Sequence, residues 1–105
     1  MQRNTNGAEI VEEAYSLITG ARFADYSHPA DDYARTVDIF NAITGHNLSI
    51  EDGILFMIAV KLSRLAHEIK TGSNIPDNTR DAIGYLGCLN MVRQTKQEVL
   101  KPWVS

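Results

Sequence analysis

Four groups of residues have the types and spacing to do chemistry. The first is Lys61 with Arg64. On a helix they fall, with Met57 and Glu68, within about 60° of one another at roughly 100° per residue. Two cations one turn apart can hold phosphate or a carboxylate, arginine through a planar fork and lysine as a point charge. The same spacing also describes a solvated edge on which Arg64 pairs with Glu68, four residues on, for about 0.3 kcal/mol. The second group is Asp77 with Asp81, one turn apart at the start of a helix. Two carboxylates so placed can share Mg²⁺, which favours hard oxygen ligands. Gly84, Tyr85 and Cys88 continue that stripe; the small residues would leave room for a ligand and Tyr85 would wall it. Aspartate is also favoured at helix starts simply as a cap.

The third group is Arg22-Phe23-Ala24-Asp25-Tyr26-Ser27-His28-Pro29, a mix of charge and aromatics dense for a connector. Loops that carry function often have this composition, and so do connectors whose aromatics plug the end of a bundle. The fourth, Glu9-x-x-Glu12, resembles half of a helical metal motif. Its side chains fall on the polar side of their helix, whereas a metal site in a bundle needs inward carboxylates, so they read as surface charge. His28, His46 and His67 lie in different segments without ligand spacing, and zinc needs three or four ligands. Cys88 is the one cysteine, which excludes an internal disulfide and a cysteine-rich zinc site. There is no nucleophile elbow and no phosphate-binding glycine loop.

The elements that must position these residues are helices. Asn6 with Glu9 can form a capping box for a first helix that ends near Gly20, its apolar side made by Ile10, Ala14, Leu17 and Ile18. Residues 21–30 show no helical period and read as a connector, in which His28, preceding proline, should be extended. A second helix starts near Pro29 or Asp31 and ends at Gly45, with Tyr33, Val37 and Phe40 on one face and Ile39 and Ile43 widening it. The third organises the chain. Ser49 with Asp52 reads as a capping box, Gly72 as a left-handed stop, and Ile50, Ile54, Ile58, Leu62, Leu65 and Ile69 recur at steps of three and four on one face. Either Asn74 or Asp77 can cap the fourth, which runs to about Leu100 before Pro102, with Ala82, Ile83, Leu86, Leu89 and Val92 carrying its core contact. No stretch alternates long enough to be a strand. The expectation is an all-α, four-helix antiparallel bundle-like single domain over residues 1–105. Residues 1–5 would fray, and the apolar tail at 101–105 would fold back or meet a second copy.

Composition bounds the function classes. Apolar and charged fractions are ordinary for a soluble globular domain. A net charge of −3 gives no reason to expect a surface for duplex nucleic acid, which shows a clustered basic stripe. The apolar run 54–60 is too short to span a bilayer. The polar first residues do not form a signal peptide, so cytoplasm is the expected location.

Three patches in order, Arg22-x-x-Asp25-Tyr26, Lys61-Leu62-Ser63-Arg64-Leu65 and Asp77-Asn78-x-x-Asp81-x-x-Gly84-Tyr85, carry a resemblance. Over roughly residues 17 to 92 the chain resembles a family of small all-helical domains of tailed phages. That family is similar to the nucleotide-modification-associated helical domains and, more distantly, to MazG-type nucleotide pyrophosphohydrolases. The resemblance implies a phage or prophage source, hence the cytoplasm of a host cell, and a nucleotide-related role. Two positions depart from the pattern. Ser27 stands where the family has glycine after the Asp-Tyr pair, and there is no second Glu-x-x-Glu or Glu-x-x-Asp motif of the MazG type.

The functional expectation is binding of a nucleotide or related phosphorylated small molecule. Lys61, Arg64 and Arg22 would meet phosphate, and Tyr26 or Tyr85 would stack on a base. Asp77 and Asp81 would hold Mg²⁺ or orient the cations. If turnover occurs, metal-assisted phosphoanhydride hydrolysis is the reaction to test. The alternative is a protein-interaction or structural module with no small-molecule ligand, homo-oligomeric through its C-terminal helix, in which the same charges form an ion-pair network between the last two helices.

Overall fold

Caps and stops in the sequence set most of the boundaries. A computed structural model describes the backbone of residues 6–100 and the side chains of 7–20 and 23–95. It contains α1 (Asn6–Thr19), α2 (Ala21–Tyr26), α3 (Pro29–Thr44), α4 (Ile50–Thr71) and α5 (Pro76–Leu100). The four long helices are those the periodicity predicts, and no strand occurs among the described residues. The expected frayed start and C-terminal tail lie outside those residues, as does the Asn6 side chain.

The Ser49 hydroxyl accepts from the Asp52 N–H, and the Asp52 carboxylate accepts from the Ser49 N–H, both at 3.1 Å, completing the capping box of α4. Gly45 and Gly72 end α3 and α4 at φ 75° and 76°, the left-handed region that glycine enters without a Cβ penalty. His28 is extended, as its proline neighbour requires, and its Nδ1 accepts the Ala30 N–H at 3.0 Å as the cap of α3. The fourth long helix begins at Pro76, so neither Asn74 nor Asp77 stands immediately before it.

Residues 21–26, expected as a connector, form the short helix α2. Six residues are too few to show a 3.6 period. Gly20 precedes it with no side-chain cap, and the Ser27 N–H closes the turn on the Phe23 carbonyl. Ser27, at φ 66° and ψ −167°, is the only non-glycine with positive φ among the described residues. It therefore keeps a backbone shape that glycine adopts more readily than serine.

The core is built where α4 and α5 pack against each other and against α3: Tyr33, Ile54, Ile58, Cys88 and Val92. Ala14, Val37 and Ala82 are buried as well. One expectation is corrected here. The face of α4 does not run on through Leu62 and Ile69, which are exposed; from Ile58 the buried line continues through Lys61, Leu65 and Glu68. The small residues of α5 serve two ends: Gly84 and Cys88, with Tyr85, line a hollow of about 300 Å³ as expected, and the glycines also let a neighbouring helix approach. A Cβ on Gly87 would stand 2.8 Å from Ile18 Cδ1 and one on Gly84 3.3 Å from Ile18 Cγ2, so these glycines admit α1, while Cys88 is core. Phe40, Ile39, Ile43 and Leu86 are also exposed, because α3 and α5 each meet neighbours over less of their circumference than their apolar residues cover.

Candidate functional site

The candidate residues of α4 and α5 come together across the contact between these helices. Lys61 Nζ lies 2.8 Å from Asp81 Oδ2. On its other side Asp81 accepts from Arg80, whose Nε and Nη2 both stand 3.1 Å from Oδ1. Arg80 Nη1 also reaches Asp77 Oδ1 at 3.4 Å. The result is a chain of alternating charge, Lys61–Asp81–Arg80–Asp77. Burial pushes the Asp81 carboxyl up, but hydrogen bonds from Lys61 and Arg80, with their charges, outweigh it and hold the group below its ordinary value.

This chain changes what the two aspartates can do. A cation shared by Asp77 and Asp81 would have to displace the Arg80 guanidinium, which already spans them. Among the described residues no three His, Cys, Asp or Glu side chains gather as a metal-binding group. The residues present therefore do not suit Mg²⁺. Arg80 is the member that sequence reasoning missed; its position three residues after Asp77 and next to Asp81 was the available signal.

The alternative of a solvated edge fails at Glu68. It is not an exposed partner of Arg64. It is 4% exposed and turned toward the start of α5. There Oε2 accepts the Ile75 N–H at 2.8 Å, and Oε1 accepts from the Asn78 side-chain amide. Those two hydrogen bonds lower its pKa against the opposing cost of burial. Glu68 thus ties the end of α4 to the 73–78 connection and fixes how α5 departs. The step of seven from Lys61 to Glu68, in line with Ile54 and Ile58, carried this information.

The predicted ligand residues separate into two hollows. Lys61, Arg64 and Asp77 line an open cleft of about 620 Å³ between α4 and α5, with Ser63, His67, Thr71 and Ser73. Tyr26, Asp81 and Tyr85 line another of about 300 Å³, with Asp25, Arg80 and Ile18. The Lys61–Asp81 pair joins them, with one partner in each. Tyr85 also meets Tyr33 edge to face at 6.4 Å. The side chain of Arg22 lies outside the described residues. The first hollow also holds the carboxylates of Asp77 and Glu68, engaged by Arg80 and by Ile75 and Asn78, while Arg64 and His67 pair with no carboxylate among the described residues; in the second the charged groups are Asp25, Asp81 and Arg80.

No helix of the described residues is long and apolar enough to cross a membrane. A third hollow, between α3 and α4, is almost wholly apolar and has Phe40, Met57 and Phe56 on its walls.

Comparison with known proteins adds a family but not an activity. Residues 9–93 match the family described as "Domain of unknown function (DUF6378)". A curated relative, the Gene 55 protein of Mycobacterium phage D29, is 29% identical over 89 residues, which is 85% of this chain and 56% of that protein. The chain thus spans little more than half the length of the curated relative it matches. No solved structure matches it significantly.

Proposed function

The chain belongs to the DUF6378 family, and from that premise we propose that it is a small-molecule-binding module for a phosphorylated compound of the nucleotide class. The phosphate end sits in the cleft between the second half of α4 and the start of α5. One observation carries this reading: Arg64 and His67, one turn apart, line that cleft with no carboxylate partner among the described residues. Phosphate recognition needs positive charge that the protein has not already neutralised. Arginine supplies two parallel donors to phosphate oxygens, and Ser63 on the same wall can add a hydroxyl. Lys61 and Arg80 are committed to Asp81, so they hold the wall and contribute less charge to a ligand. Tyr26 and Tyr85 line the smaller hollow beyond the ion pair. A base stacked there is reached only by a ligand long enough to pass the pair.

The similarity to a phage gene product supports a role during infection, inside a host cell. Binding is favoured over hydrolysis because the two candidate metal carboxylates are held by Lys61 and Arg80. The competing reading, a protein-interaction module, draws on the exposed apolar face of α4.

A thermal-shift series with nucleoside mono-, di- and triphosphates, each with and without Mg²⁺, tests the proposal. A ligand that binds only the folded state at about 100 times its Kd adds about 2.7 kcal/mol of stability. The expected result is a raised midpoint with at least one phosphorylated ligand, independent of Mg²⁺ and abolished by Arg64→Gln. No shift across the panel, or a shift that Arg64→Gln leaves intact, overturns it. A shift that requires Mg²⁺ and disappears with Asp81→Asn would restore the metal role.

A further inference from the structure

Beside its buried line, α4 carries a second line of apolar residues that is bare. Leu55, Ala59, Leu62, Ala66 and Ile69 are all exposed, Leu55 at 49%, Leu62 at 50% and Ile69 at 75%. Their steps of four, three, four and three residues make a heptad seam. Leu55, Leu62 and Ile69 each directly follow a residue that faces α5 or its connection: Ile54, Lys61 and Glu68. The seam therefore runs along the helix about 100° round from the intramolecular contact. Leu86 on α5 is exposed too, and it follows Tyr85, the residue that meets α3.

We infer that this seam is covered by a second copy of the chain, α4 against α4, running antiparallel about a two-fold axis at Leu62. Three features favour that occupant. The order large, small, large, small, large reads the same in both directions from Leu62. A two-fold interface must be self-complementary in this way: Leu55 of one copy meets Ile69 of the other, and Ala59 meets Ala66, where the small side chains let the backbones approach. Charge agrees with the direction. Asp52 flanks the N-terminal end of the seam and Lys70 the other, so antiparallel pairing sets acid beside base, whereas parallel pairing sets like beside like. The size is also sufficient. The exposed parts of Leu55, Ala59, Leu62, Ala66 and Ile69 amount to roughly 400 Å² per copy; at about three-fifths apolar, such an interface covers about 700 Å² per partner, within the span of a stable specific contact. The proposal does not depend on the phosphate site, which lies on another side of α4.

Sedimentation velocity over a concentration series tests it on the 105-residue chain, whose mass is 11.7 kDa. The expected species is a dimer of twice that mass, reduced to monomer by Leu62→Glu with unchanged helical circular dichroism. Leu62 is half exposed in the monomer, so the fold tolerates the charge. Direction is read by oxidative cross-linking, the native Cys88 being buried. Leu62→Cys should form a disulfide-linked dimer, whereas Leu55→Cys, about 20 Å from its own twin in this register, should not. A monomer at every concentration, a dimer unaffected by Leu62→Glu, cross-linking by both cysteine variants, or by neither, each overturns the antiparallel seam.

Discussion

Lys61 and Asp81 meet at 2.8 Å across the contact between α4 and α5, and each lines a different hollow. Two charges that could have been ligand groups are each other's partners. Both are mostly shielded, with side-chain exposures of 13% and 21%. Lys61→Met should cost about 2 kcal/mol of unfolding free energy, since it leaves Asp81 with Arg80 as its remaining close cation. Asp81→Asn should cost at least as much, because Lys61 loses its carboxylate partner. Urea denaturation of the two single variants and the double variant should give a coupling of 1 kcal/mol or more, at about the level of close charged pairs. Additive effects would mean that the pair holds nothing.

Acid should find the two carboxyls on the α4–α5 contact. Asp81 is held below its ordinary value of 3.8 and Glu68 below 4.5, each by hydrogen bonds that outweigh burial. A carboxyl whose folded pKa is depressed contributes fully above its unfolded value and loses that contribution as pH falls through its folded one. Stability should therefore be level from neutrality down to about pH 5 and decline steadily below it. Asp81→Asn and Glu68→Gln should each make that decline shallower in thermal melts from pH 7 to pH 2. An unchanged acid slope in both variants would remove these groups as its cause.

Gly53 and Gly7 should respond to alanine with opposite signs. A helical Gly→Ala change ordinarily stabilises by about 0.5–1 kcal/mol. Gly7 has open space around its missing Cβ and should show this gain. At Gly53 the added carbon would lie 2.6 Å from Cγ2 of Val37, a buried, branched side chain that is stiff about its first torsion. Overpacking there should outweigh the propensity gain and leave Gly53→Ala about 1 kcal/mol less stable. A stabilised Gly53→Ala would show that α3 and α4 stand further apart.

Ser27→Gly should stabilise. At φ 66° and ψ −167° the serine occupies backbone space that is nearly glycine-only and costs about 1–3 kcal/mol. Glycine removes that strain and returns part of it as unfolded-chain entropy, for a net gain of about 1 kcal/mol and a midpoint several degrees higher. A lowered midpoint would place the worth of the position in the serine hydroxyl.

Ser49 with Asp52, Gly45, Gly72 and the His28-Pro29 pair made the ends of α3 and α4 readable from the sequence, because capping and left-handed stops involve neighbours within four residues. The four long helices followed from periods that extend over many residues. α2 was not readable, since six residues show no period and its cap is a glycine without a side chain. The candidate site was legible as a set of residues and not as an arrangement. Lys61, Arg64, Asp77 and Asp81 do gather between α4 and α5, but nothing local reveals that Arg80 spans the aspartates or that the tyrosines line a separate hollow.

The sequence by itself determined the helical class and most helix ends, since these depend on spacing within one segment. Only the tertiary structure decided that the buried line of α4 continues through Lys61, Leu65 and Glu68 and leaves Leu62 and Ile69 outside. Asp81 draws Lys61 inward, and Ile75 with Asn78 draws Glu68, so the polar-interrupted line faces α5 and the unbroken apolar line is left at the surface. The reason is that a charge is buried only where a partner from a distant part of the chain offsets its desolvation, and that partner is set by how the helices pack.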